Sequence, residues 1–146
     1  INLKKIREDR KSAIESDMSI GFLDDHRIKS EFDFESIFGI LAVLGEKDVR
    51  GILLELEPVI DRLIVTQNSS GRALPVEELY EEAIKIFGDE RVYKEVDLRS
   101  AITNAIEQCT LVNQTSDGIS AVLISGSVVT AGESRAILRK ISEART

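Results

Sequence analysis

Apolar and polar positions follow two rhythms along most of this chain, and the switches between them predict a repeating order of strand and helix. Ser36 to Leu44 is a nearly continuous apolar run, the pattern of a strand covered on both faces, and Gly45 closes it. Asp48 is placed to cap a helix in which Val49, Ile52, Leu53 and Leu56 recur at helical spacing until Pro58. Arg62 to Thr66 predicts the next buried strand. The polar loop Gln67 to Arg72 then leads to Pro75, which suits the first turn of a helix, and Glu77 and Glu78 favour that turn through the helix dipole.

Leu79, Tyr80, Ala83, Ile84 and Phe87 form the inward face of that helix, and Gly88 ends it. Arg91 to Val96 alternates as an edge strand does. Asp97 starts a further helix with the stripe Leu98, Ile102, Ala105, Ile106, Cys109 and Val112, and Asp117-Gly118 marks a turn. Ile119 to Ser125 predicts the last strand, broken by Gly126-Ser127. Gly132 to Ile141 reads as a closing helix with Ile137, Leu138 and Ile141 inward.

Strands alternating with helices imply an α/β fold, a Rossmann-like three-layer sandwich with a mainly parallel sheet and right-handed crossovers. Residues 31–146 are expected to form this domain, with residues 1–30 an N-terminal helical segment or linker. Within the latter, Leu3 to Ile14 looks like a polar helix and Ile20 to Leu23 a short strand or linker. Ligands of such sheets bind at the loops after the strand carboxyl ends. Here those loops are Gly45 to Asp48, Gln67 to Arg72, and Gly126 to Glu133.

Charge narrows the partners. Nineteen basic against 26 acidic residues leave a formal charge of −7, which repels polyphosphate backbones, so nucleic acid is not an expected partner. The cluster Lys4, Lys5, Arg7, Arg10 and Lys11 is interleaved with Glu8 and Asp9, as on a solvated helix face. No apolar run is long enough for a membrane span and the first residues are not signal-like, so the expected compartment is the cytoplasm. The matches to glycosylation sequons at Asn68 and Asn113 are then chance. Cys109, the single cysteine, lies on an apolar helix face and is expected to act as a small hydrophobe.

Several chemistries are excluded by their missing residues. No Gly-x-Gly-x-x-Gly follows a strand, which argues against NAD. Gly126 to Glu133 has neither the spacing nor the lysine of a P-loop. His26 is the only histidine, so no zinc cluster or nucleophile–base pair forms around it. Asp24-Asp25-His26 reads as an exposed loop in preference to a metal or acid–base group. The chain therefore offers ligand-end loops without a catalytic set or metal ligands of its own.

Three stretches in register, Gly39 to Val49, Pro58 to Pro75 and Val122 to Glu133, resemble the C-terminal domain of folylpolyglutamate synthase/dihydrofolate synthase, in the Mur ligase superfamily. The resemblance covers roughly residues 34 to 141. It implies an N-terminal P-loop ligase domain that binds most of the ATP and Mg2+ of the intact enzyme, and a C-terminal domain that closes over it. It also implies the reaction: phosphorylation of a folate or dihydropteroate carboxylate by ATP, then attack of the L-glutamate amine on the acyl phosphate. Positioning and charge neutralisation dominate such chemistry, so a domain can contribute to it without owning a base.

By the same resemblance, Lys47 and Asp48 face ATP, while Arg72, Gly126 and Ser127 face glutamate. Related Mur ligases use an arginine in the loop corresponding to Asn68–Arg72 for their incoming amino acid, and a guanidinium suits a carboxylate. Each position also has a plainer reading: a helix cap for Asp48 and Ser127, a solvated loop side chain for Arg72. The family begins this domain with a strand ending in Asp-Gly-Ala-His-Asn-Pro and a long helix. Only Asp24-Asp25-His26 precedes Phe32-Asp33-Phe34 here, too close for that helix, so those roles are not carried over. The alternative is a non-catalytic Rossmann-like domain that docks a partner.

Overall fold

The computed structural model describes residues 34–115 and 119–145. The expectations for residues 1–30, for Asp24-Asp25-His26 and for the turn at Asp117-Gly118 lie outside the described residues. Four strands, β1 (Phe34–Ala42), β2 (Arg62–Val65), β3 (Val92–Lys94) and β4 (Ile119–Gly126), alternate with α1 (Val49–Leu56), α2 (Val76–Phe87), α3 (Leu98–Thr115) and α4 (Val128–Ala144). A short 3-10 turn, Asp89–Arg91, precedes β3. The sheet order is β3-β2-β1-β4 and every pairing is parallel.

Period-2 alternation along β1 divides the core into two. Ile37 and Leu41 face α1 and α2, where they meet Leu53, Leu56, Leu79, Ala83 and Phe87. Ile40, with Ile64 of β2, faces α3 and α4, against Leu98, Ala101, Ile102 and Ala105 and the partly buried Ile137, Leu138 and Ile141. This is the three-layer sandwich that strand–helix alternation predicts. Gly39 lies on the α1 side, where an added Cβ would stand 2.3 Å from Ile60 Cδ1, so the missing side chain lets Ile60 rest on the strand.

Three boundaries differ from expectation. The strand predicted to reach Leu44 stops at Ala42, because its neighbours stop there: Gly126, opposite Ala42, is the last residue of β4. Val43 and Leu44 pair with the loop after β2 instead, through Leu74 N–H to Val43 O at 2.9 Å and an antiparallel bridge from Leu44 to Ala73. The edge strand expected over 91–96 keeps only Val92–Lys94, the residues that find partners on β2. The closing helix starts at Val128, not Gly132, since the Ser127 side chain caps it by accepting from Thr130 N–H. Gly132 therefore lies inside the helix, a position that costs about 1 kcal/mol relative to alanine.

At the amino end of the sheet, Arg91 gathers backbone oxygens. Its guanidinium donates to the carbonyls of Glu57 (3.0 Å), Ile60 (2.6 Å) and Asp61 (3.1 Å) and to the Glu57 carboxylate (2.8 Å). The same group lies 4.8 Å from the Phe87 ring centroid. Asp61 in turn accepts from Ile37 N–H at 2.7 Å, which ties the start of β1 to the approach to β2.

Candidate functional site

Parallel strands put the loops after β1, β2 and β4 on one edge, the carboxyl end of the sheet. The loop after β1 carries Lys47 and Asp48, both exposed. Asp48 is the N-cap of α1: its carboxylate accepts from Gly51 N–H at 3.1 Å, a cap worth roughly 1 kcal/mol. Arg72, in the loop after β2, forms an exposed ion pair with Glu46 in the Lys47 loop. Gly45 N–H also donates to Arg72 O at 2.9 Å, so these two loops lie side by side.

The other end of the β2 loop is tied to α4. Asn68 is 4% exposed, and its Nδ2 donates to Thr130 Oγ1 at 3.0 Å and to Ser127 Oγ at 3.3 Å. Its Oδ1 accepts from Ser70 N–H at 3.0 Å, closing an Asx turn that shapes the loop. Thr130, 1% exposed, donates its hydroxyl to Ala42 O at 2.7 Å, at the end of β1. Outside this buried set, Glu133 accepts from Ser69 N–H at 3.0 Å and from the Ser69 hydroxyl. One short loop therefore holds the ends of β1, β2 and β4 together.

Gly126 and Ser127 serve the backbone at this point. Gly126 has φ +141, and a Cβ there would stand 1.8 Å from Ala42 O, so the close approach that requires glycine is made to the neighbouring strand. Ser127 caps α4, with Thr130 N–H at 3.2 Å. The structure thus places Arg72 beside the Lys47 loop and Ser127 beside Asn68, the two joined through the loop 68–72.

Beside Asn68 a cleft of about 340 Å³ opens between the β2 loop, the start of α3 and α4, with Gln67, Val96, Asp97, Arg99 and Glu133 among its lining residues. Asp97 accepts from Ser100 N–H at 2.8 Å at the start of α3, and that bond holds its carboxyl below the usual range. Gln67 does not point its Oε1 into solvent: it accepts from Val76 N–H at 3.0 Å and caps α2, whose N-cap residue Pro75 has no side-chain acceptor. Cys109 is buried, and burial pushes its thiol up to about 11, as expected of a packing residue. Among the described residues no three His, Cys, Asp or Glu side chains are grouped to hold a metal, and no helix is long and apolar enough to cross a membrane.

Sequence reasoning missed Asn68, Thr130 and Glu133 as members of one assembly. The Asn-Ser-Ser run carried an Asx-turn signal at Asn68. Thr130 and Glu133 fell within the ligand-end stretch Gly126 to Glu133 without a signal of their own, and Thr130 was expected ahead of a helix starting at Gly132 rather than on it.

No family model matches the chain. A dihydrofolate synthase/folylpolyglutamate synthase of Mycobacterium tuberculosis (strain ATCC 25618 / H37Rv) is 45% identical over 113 residues, covering 73% of this chain and 23% of the relative. Folylpolyglutamate synthase from the same organism, solved with ADP and AMPPCP, superposes with a TM-score of 0.70 at 45% identity over 75% of this chain. Folylpolyglutamate synthase of Thermotoga maritima covers 91% of this chain with a TM-score of 0.58, and at 22% identity it supports the fold alone. The chain spans about a quarter of the length of these relatives. By sequence and by fold, it corresponds to a C-terminal segment of folylpolyglutamate synthases.

Proposed function

We propose that the chain is the ATP- and glutamate-facing C-terminal domain of a ligase that adds L-glutamate to folate or dihydropteroate. The observation that carries this reading is the 45% identity to a dihydrofolate synthase/folylpolyglutamate synthase, which is sustained over 113 residues. ATP and Mg2+ are held mainly by an N-terminal P-loop domain, where a pterin carboxylate is phosphorylated before the glutamate amine displaces the phosphate. This domain contributes Lys47 and Asp48 on the nucleotide side, and Arg72, Gly126 and Ser127 on the glutamate side. Lys47 supplies positive charge, Arg72 a planar fork for a carboxylate, and Ser127 a hydroxyl.

Asp48 and Gly126 act indirectly in this reading, by fixing the start of α1 and the turn into α4. Val128 and Val96, 90% and 73% exposed, add apolar surface near the same loops, which suits closure onto the N-terminal domain. The test is glutamate-dependent phosphate release from ATP by the complete protein, with dihydropteroate and a reduced folate tried in turn, against the 146-residue chain alone. Turnover is expected from the complete protein and not from the chain. Turnover by the chain alone would overturn the reading of an incomplete domain, whereas a complete protein that never responds to glutamate favours the partner-docking alternative.

A further inference from the structure

We infer that Asn68 is a positioning residue that turns the Ser127 hydroxyl proton outward, toward an anionic oxygen of the ligand; this rests on the glutamate-side role proposed for Ser127. The donors and acceptors of the buried set have one assignment. Because Asn68 Oδ1 accepts from Ser70 N–H, its Nδ2 must face the two hydroxyls, and it brings donors only. Thr130 has one hydroxyl proton, and the 2.7 Å bond to Ala42 O uses it. Thr130 Oγ1 is therefore an acceptor toward Asn68 and has nothing to give Ser127.

Ser127 Oγ accepts from Thr130 N–H at 3.2 Å and from Asn68 Nδ2 at 3.3 Å, which fills both of its lone pairs. Its own proton is the most weakly held hydrogen of the set, with one long contact of 3.3 Å to Thr130 Oγ1. Among the described residues its acceptor is that Thr130 Oγ1, which has one lone pair left beside the bond from Asn68. A carboxylate or phosphoryl oxygen outside is the stronger acceptor. The proposed glutamate side makes that oxygen a carboxylate.

Asn68→Asp tests the inference, because a carboxylate only accepts and would draw the Ser127 proton inward. In the complete ligase the variant is expected to raise the glutamate KM about tenfold, the worth of one hydrogen bond to a charged group, with the ATP KM little changed. In a Ser127→Ala background it should add nothing to the glutamate KM, whereas a merely structural role gives additive losses. Additive losses overturn the inference but leave the glutamate-side reading standing. A Ser127→Ala variant with an unchanged glutamate KM removes that reading and the inference with it. A rise in the ATP KM instead assigns the hydroxyl to a phosphoryl oxygen and overturns the carboxylate. Independently of turnover, NMR of the full chain should show the Asn68 side-chain amide protons exchanging slowly with water. Exchange as fast as that of an exposed asparagine means the hydrogen-bond set is absent and overturns the inference.

Discussion

At the amino end of the sheet, Arg91 turns its guanidinium onto three carbonyls and a carboxylate of its own chain, and Asp61 takes a strand amide. At the carboxyl end, Arg72 pairs with Glu46 at the surface, with its side chain 72% exposed. The two arginines differ in what they are for. A guanidinium that satisfies buried backbone acceptors contributes to the fold, whereas one in an exposed ion pair contributes little to stability and keeps its fork accessible. Within the sheet's carboxyl end the buried ties are made by neutral groups, Asn68 and Thr130, with Gly126 in close contact with Ala42 O.

The contrast is broken most directly by deleting both side chains. Arg91→Ala should cost about 3 kcal/mol in urea denaturation, because several acceptors lose a charged donor at once. Arg72→Ala should stay within about 0.5 kcal/mol, as surface changes usually do. Equal losses would remove the distinction between the two ends. Gly126→Ala should cost about 2 kcal/mol or more by the same measurement, since the new Cβ meets Ala42 O and φ is unfavourable for it. A neutral result would mean that the turn into α4 is not held by close approach.

The exposed Arg72 is expected to matter for turnover where the half-buried Arg91 matters for folding. In a complete ligase, Arg72→Lys keeps the charge but loses the fork, and should weaken glutamate use by roughly 1–3 kcal/mol, with ATP dependence changing much less. Equal loss for both substrates in steady-state kinetics would withdraw Arg72 from the glutamate side. Lys47→Ala should raise the apparent ATP requirement while leaving Tm nearly unchanged; a large drop in Tm would make Lys47 structural.

Titration gives the smallest effects. The Asp97 carboxyl is lowered chiefly by the Ser100 N–H, so its contribution is present above the unfolded carboxylate range and fades as pH falls through the folded value. Asp97→Asn should therefore flatten the loss of stability between neutral pH and about pH 3, and an unchanged acid profile would remove the bond from the account. Cys109 runs in the opposite sense. Burial favours its neutral thiol, so that contribution is complete below the unfolded value and declines as pH rises through about 11. Alkylation near neutral pH should accordingly be slow until denaturant opens the core, and fast labelling of the native chain would contradict the packing role.

Local pattern sufficed for the element order, for the parallel three-layer class and for the two caps at Asp48 and Ser127, because apolar periodicity and cap chemistry act over only a few residues. It also placed Cys109 on an inward helix face. What no local pattern could supply was the length of β1 and β3, since a strand ends where its neighbours stop offering partners. Nor could it show that Gly126 accommodates Ala42 O, that Arg91 serves carbonyls from the end of α1 and the approach to β2, or that Asn68 meets Thr130 sixty-two positions away. These depend on where the folded sheet brings distant segments, and hydrogen-bond partners separated by whole elements are chosen by that placement alone.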